Sequence, residues 1–168
     1  SEQEPEKPDS NNINEILESK IKEELERLDN LLESSTDVNS FELVDRIRNT
    51  MEKYVGIRRN EQDLEKALNE IRKIEGKYEN LSVDKGMSSE QYEMANNLKF
   101  MIIAAKSTIL SAIERKESRG AHYRVDYKTK DEDYFHNNII KEKNGNMEIT
   151  ESLIDEPSDK VKKAIEED

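Results

Sequence analysis

The sequence predicts a mainly α-helical fold: a three-to-four-helix bundle followed by an extended segment and a C-terminal β-hairpin. Through the first two thirds of the chain, apolar residues recur every three or four positions, the period of a helix with one buried face. That period stops after Gly120. Further on, Asn144-Gly145 separates two short alternating runs, and Asn-Gly supplies the positive backbone angles of a tight hairpin turn.

Residues 1–11 are charged, proline-bearing and without an apolar residue to bury, so they read as a disordered acidic N-terminus. The bundle is expected over 12–120. Its first helix runs from Ile13 to about Leu32, with Ile13, Leu17, Ile21, Leu25, Leu28 and Leu32 three or four apart, and Asn12 with Glu15 as a start signal. Ser34-Ser35-Thr36-Asp37 breaks it. The second helix, Ser40 to Val55, should bury Phe41, Val44, Ile47, Met51 and Tyr54 and end at Gly56 in a left-handed conformation. The third, Glu61 to Tyr78, starts at a cap on Asn60 and turns Leu64, Leu68, Ile71 and Ile74 to one side. Asn80 to Met87 is a loop. The fourth helix, Ser89 to about Ser118, opens with a Ser88/Gln91 capping box and is expected to close at Gly120. Its apolar stripe includes Met94, Leu98, Met101, Ile102, Ala105, Ile109, Ala112 and Ile113, and Ala104, Ala105, Ser107 and Ser111 are small enough for close helix approach. Residues 121–152 are the extended segment and hairpin; 153–168 are a short helix after Pro157 and an acidic tail.

Composition narrows the chemistry. The 168 residues hold 39 acidic and 27 basic side chains, a net charge of -12, which repels nucleic acid and anionic membrane alike. Without cysteine there is no disulfide, thiolate metal site or cysteine nucleophile. Five scattered glycines make no phosphate-cradling loop, and His122 and His136 cannot build a three-histidine metal site. No run of about 20 apolar residues is present to span a membrane. The first residue is serine instead of methionine, which reads as a processed or truncated product.

One stretch is distinctive: Arg115-Lys116-Glu117-Ser118-Arg119-Gly120-Ala121-His122-Tyr123-Arg124-Val125-Asp126-Tyr127. It resembles the signature of the C-terminal helical domain of the succinate dehydrogenase and fumarate reductase flavoprotein subunit. Met51-Glu52-Lys53-Tyr54-Val55-Gly56-Ile57-Arg58-Arg59 with Leu64 and Leu68, then Asn97-Leu98 and Ala112, then Lys130-Asp131-Glu132-Asp133-Tyr134-Phe135, follow in the family's order, so the likeness runs over about 12–152. Lys128 stands where the family usually has proline, and Asn138 where it often has histidine, with His136 two positions earlier. L-aspartate oxidase carries a similar Ser-Arg-Gly-x-His-Tyr signature but usually has leucine at the place of Ala121 and lacks arginine at that of Arg124, so it ranks second. A free-standing helical interaction module is the reading from another class.

The resemblance implies that FAD and the catalytic residues belong to preceding domains of a parent flavoprotein. It implies no cofactor, catalytic residue or metal in this chain, and inactivity of the chain alone. The implied partners are the flavin-binding domain of the same protein and an iron–sulfur subunit. The parent is expected to be cytoplasmic and attached to the membrane only through partner subunits, with no direct insertion and no nucleic acid. Between Arg115 and Lys130 six bases face two acids, and four of the nine aromatics lie at 123–135. Arginine and tyrosine enrichment of that kind marks interfaces, so Arg119, His122, Arg124, Asp126 and Tyr127 are the candidate domain-docking residues. His136 beside Asp131, Glu132 and Asp133 is a discounted candidate for weak cation binding, since acidic loops are usually solvated.

Overall fold

A computed structural model describes residues 10–33, 38–81, 88–143, 145–155 and 158. Among the described residues there are four helices, α1 (Ser10–Glu33), α2 (Ser40–Val55), α3 (Glu61–Tyr78) and α4 (Ser89–Glu114), with one short strand between α2 and α3. Two short strands, β1 (Arg58–Arg59) and β2 (Tyr123–Arg124), pair in parallel, Arg58 opposite Tyr123 and Arg59 opposite Arg124. A 3₁₀ turn at Glu132–Tyr134 leads into the antiparallel hairpin β3 (His136–Lys143) and β4 (Asn146–Leu153). The pairing closes at Lys143 opposite Asn146, and Gly145 takes φ +76°, as the Asn-Gly pair predicts. The expected helix after Pro157 and the breaks at 34–37 and 82–87 lie outside the described residues.

The core lies between α2, α3 and α4. Asn60 caps α3, its side chain accepting from the Asp63 amide, and Leu64, Ala67, Ile71 and Ile74 are fully buried. The capping box at Ser88 and Gln91 is present, and α4 buries Ala95, Leu98, Ile102, Ala105, Ile109 and Ala112. Each large aliphatic buried this way contributes about 1.5–3 kcal/mol before chain entropy is counted. The hairpin lies beside α4, with the Asn138 amide donating to the Ser111 carbonyl (3.4 Å) and the Ser107 hydroxyl to Met147 Sδ (3.8 Å).

Four expectations need correction. In α2 the buried face turns toward Ser40, Leu43 and Thr50 beside Val44, Ile47 and Val55, leaving Phe41, Met51 and Tyr54 half-buried, because α3 and α4 both press on it. Gly56 is not left-handed (φ −58°, ψ −164°); the end of α2 is closed by the Arg59 side chain instead. Helix α4 stops at Glu114, four residues before Ser118, because Arg115 takes extended angles and residues 115–118 are committed elsewhere. Gly120 does have positive φ (+59°), but within a tight turn where Arg119 and His122 exchange backbone hydrogen bonds. Finally, α1 begins at Ser10 and packs on the bundle only near its C-terminal end, through Leu28 and Leu31 and the side chains of Glu24 and Arg27. Its earlier apolar residues are exposed.

Candidate functional site

The signature segment and Arg59 together form a clasp across three helix ends. A helix leaves its last carbonyls and first amides without intrahelical partners, and each end must be satisfied by something else. Arg124 supplies the end of α4: its Nη1 donates to the Ala112 carbonyl at 2.9 Å and reaches the Ile113 and Arg115 carbonyls at 3.4 and 3.5 Å. Asp126 supplies the start of α3, where its Oδ2 accepts from the Glu61 amide at 2.9 Å. Arg59 supplies the end of α2, donating from Nε to the Gly56 and Val55 carbonyls at 2.8 and 3.2 Å. The β1–β2 pair sets these side chains side by side, and the Val125 amide donates to the Arg59 carbonyl at 2.8 Å.

Arg124 is the hub. It is fully buried, holds Asp126 in a two-pronged contact (2.8 and 2.8 Å) and donates to Glu61 at 2.7 Å, while the Tyr127 ring lies 4.9 Å from its guanidinium carbon. The Arg124 guanidinium holds the Asp126 carboxyl far below the usual carboxylate range, against the opposing effect of burial. Ser118 steadies the loop, its Oγ accepting from the Arg124 amide and donating to the Tyr127 carbonyl at 2.7 Å.

A second, buried carboxylate lies beside the hub. Glu117 is fully buried between Arg115 (2.7 Å), Arg119 (2.9 and 3.1 Å) and the Asp131 amide (2.9 Å). Burial alone pushes its carboxyl up; Arg119, the Asp131 amide and Arg115 outweigh that and hold it at about 2. Arg115 also donates to the Tyr134 and His136 carbonyls, tying the hairpin's entry to the end of α4. Arg119 adds a contact to the Asp131 carbonyl and lies over the Phe135 ring.

His122 joins the clasp as a neutral ring. The Arg59 guanidinium can only donate, so His122 Nδ1 (2.8 Å away) must accept, which puts the proton on Nε2, donating to the Arg115 carbonyl at 3.0 Å. Burial pushes its pKa below the ordinary 6.5, and nearby Arg59 and Arg124 push the same way against the carbonyl contact. The consequence is a pH dependence of known sign. A depressed folded-state pKa gives stability that is complete above 6.5 and lost as pH falls below it; the depressed Glu117 gives a second loss between about 4.5 and about 2. The unfolding midpoint of the wild-type chain should therefore fall between pH 7 and 5, and His122→Gln, which can still accept from Arg59, should flatten that fall. An equal fall in the variant would refute the assignment.

All five candidates thus meet in one place, but they are disposed differently. Arg124 is wholly enclosed, Asp126 and Arg119 are partly covered, His122 is half-buried and Tyr127 lies outermost. Sequence reasoning missed Arg59, Glu61, Arg115 and Glu117 as members. Arg115 and Glu117 stand inside the quoted signature; the signal for Arg59 and Glu61 was a base and an acid on either side of the Asn60 cap. His136 belongs to the hairpin, its Nδ1 donating to the Asp133 carbonyl (3.1 Å), and Asp131 accepts from the Asp133 amide to start the 3₁₀ turn. Among the described residues no three His, Asp or Glu side chains are grouped to hold a metal ion, and no helix is long and apolar enough to cross a membrane.

Residues 44–163 match the family described as fumarate reductase flavoprotein, C-terminal part. An uncharacterised FAD-dependent oxidoreductase of Methanocaldococcus jannaschii is 39% identical over 80% of this chain and 24% of its own length. The fumarate reductase flavoprotein subunit of Haemophilus influenzae is 30% identical over 69% of this chain and 20% of its own. An L-aspartate oxidase of Acinetobacter baylyi matches over a shorter 56%, at 32% identity. Among solved structures, an E. coli quinol fumarate reductase superposes with a TM-score of 0.75 at 21% identity, covering 84% of this chain and 25% of that one. The chain therefore spans about a quarter or less of the length of these longer relatives.

Proposed function

Because the chain belongs to the fumarate reductase flavoprotein C-terminal family, we propose that it is the supporting helical domain of an FAD-dependent oxidoreductase of the succinate–fumarate class. In this reading the flavin and the redox chemistry reside in the remainder of the full-length protein, and an iron–sulfur subunit takes or supplies the electrons. The single observation that carries the supporting role is the clasp. Its arginines and carboxylates face inward onto the ends of α2, α3 and α4, where they fix the geometry of the bundle.

Docking follows from what the clasp leaves outside. Ile57, Tyr127 and Phe135 are exposed on the segments that build it, and the partly open Arg119 lies over the Phe135 ring. These form the contact for the flavin-binding domain; Arg124, Asp126 and His122 act behind them, holding the loop in shape. Ile57→Lys tests this cleanly, because the side chain is 70% exposed and its loss removes no core packing. The 168-residue chain should unfold at an unchanged midpoint, while the full-length flavoprotein melts lower and loses FAD more readily. Unchanged melting and FAD retention in the full-length variant would refute the docking surface, and stoichiometric flavin on the purified 168-residue chain would refute the supporting role.

A further inference from the structure

One apolar surface is not accounted for by the clasp. Helix α1 carries a single apolar stripe that is buried at one end and bare at the other. Ile13 and Leu31 are 18 residues apart, five full turns, so they point the same way; Leu17 and Ile21 fall within about 20° of Leu28. Yet Leu31 is buried and Leu28 packs on the core, while Ile13, Leu17, Ile21 and Leu25 are 44–57% exposed, with Ile16 beside them at 56%. The bundle ends before the stripe does. Contiguous exposed apolar surface of this kind marks an interaction site.

We propose that the bare stripe of α1, from Ile13 to Leu25, is a second seam on which the flavin-carrying remainder of the same protein sits, through an apolar groove. The inference rests on the family reading above and deepens it. The occupant is argued from two facts. The relatives have three quarters or more of their length outside the part matched here, so a body large enough to cover the stripe belongs to a protein of their kind. The stripe is continuous with the α1–bundle interface, so a body abutting that interface extends one packed face and needs no new one.

The two seams stand well apart. α1 is tied to α4 at Asn96 and Lys99, by Arg27 and Glu24, whereas the clasp grips α4 at Ala112 to Arg115. Ala112 is thirteen residues of helix beyond Lys99, about 20 Å. Contact at both ends fixes the orientation of the domain as well as its attachment.

The test is the double variant Leu17→Glu, Ile21→Glu, made in the full-length flavoprotein and in the 168-residue chain. In the short chain both side chains are exposed, and the unfolding midpoint should not change. In the full-length protein, amide hydrogen exchange along residues 13–25 should be slowed at least ten-fold relative to the short chain, and the double variant should abolish that protection. A full-length protein that binds FAD while these amides exchange as fast as in the short chain would overturn this inference and leave the proposed function standing. A full-length protein devoid of FAD would overturn both. If the short chain instead forms a concentration-dependent dimer in sedimentation that the double variant abolishes, and the full-length protein gives no added protection, the occupant is a second copy and the inference falls.

Discussion

Arg124→Ala is expected to destabilise the 168-residue chain by about 3–4 kcal/mol, lowering its melting temperature by roughly 10 °C. The side chain is wholly enclosed and makes contacts to the end of α4, to Asp126 and to Glu61 at once. Its removal leaves a cavity, strands the Ala112 carbonyl and releases two carboxylates from their counter-ion. Charged hydrogen bonds contribute about 1.5–3 kcal/mol each when counted singly. The sum stays moderate because the Asp126 and Glu61 side chains, 30% and 40% exposed, regain water. Arg124→Lys should restore little of the loss, since one ammonium cannot present the planar fork that meets Asp126 on two sides while reaching a helix end. Urea unfolding followed by circular dichroism measures both; a loss under 1 kcal/mol in the alanine variant would show that the clasp is not a stabilising element.

Glu117→Gln should cost about 3 kcal/mol although it keeps the shape of the side chain. Oε1 accepts from Arg115 and Arg119, and Oε2 from Arg119 and the Asp131 amide. Whichever way a glutamine amide turns, its NH₂ faces another donor, and two arginines lose the charge they share. The same substitution should also lessen the acid-side loss of stability between about pH 4.5 and 2, because this titrating carboxyl is gone while the depressed Asp126 carboxyl keeps its own share. A variant as stable as wild type at pH 7 would place Glu117 outside the load on this region.

Much of the architecture was legible in the sequence, and the reasons differ by element. Helix α3 was read to both ends because a side-chain cap, Asn60, and a regular stripe of Leu64, Leu68, Ile71 and Ile74 act within one segment. The hairpin turn was read because Asn-Gly is a local backbone requirement. The end of α4 was not, since what stops it is Arg124, ten residues beyond Glu114 and brought back by a turn at Gly120. Glycine preference at helix ends placed the stop at Gly120; a buried guanidinium overrode it.

The clasp itself was half legible. Its arginine- and tyrosine-rich character stood out from the acidic background, and the five candidates do lie together. Their burial order did not, because exposure depends on which partners arrive from α3 and β1. One buried acid among 39 has no mark of its own, so Glu117 could be found only once Arg115, Arg119 and Asp131 surrounded it. In α1 the periodicity was true and its burial was not: an amphipathic stripe states that a face wants cover, not that this chain provides it.

The parallel pairing of Arg58–Arg59 with Tyr123–Arg124 has a kinetic consequence. Glu61 and Asp126 meet across 65 positions, so the contact closes a large loop that holds α3 and α4, and the entropy of that closure makes it expected to form late. Such late-arriving contacts set how fast a native chain comes apart more than how fast it assembles. Lesions at this closure therefore shorten the lifetime of the folded state, and the polypeptide would still reach that state at nearly its usual pace.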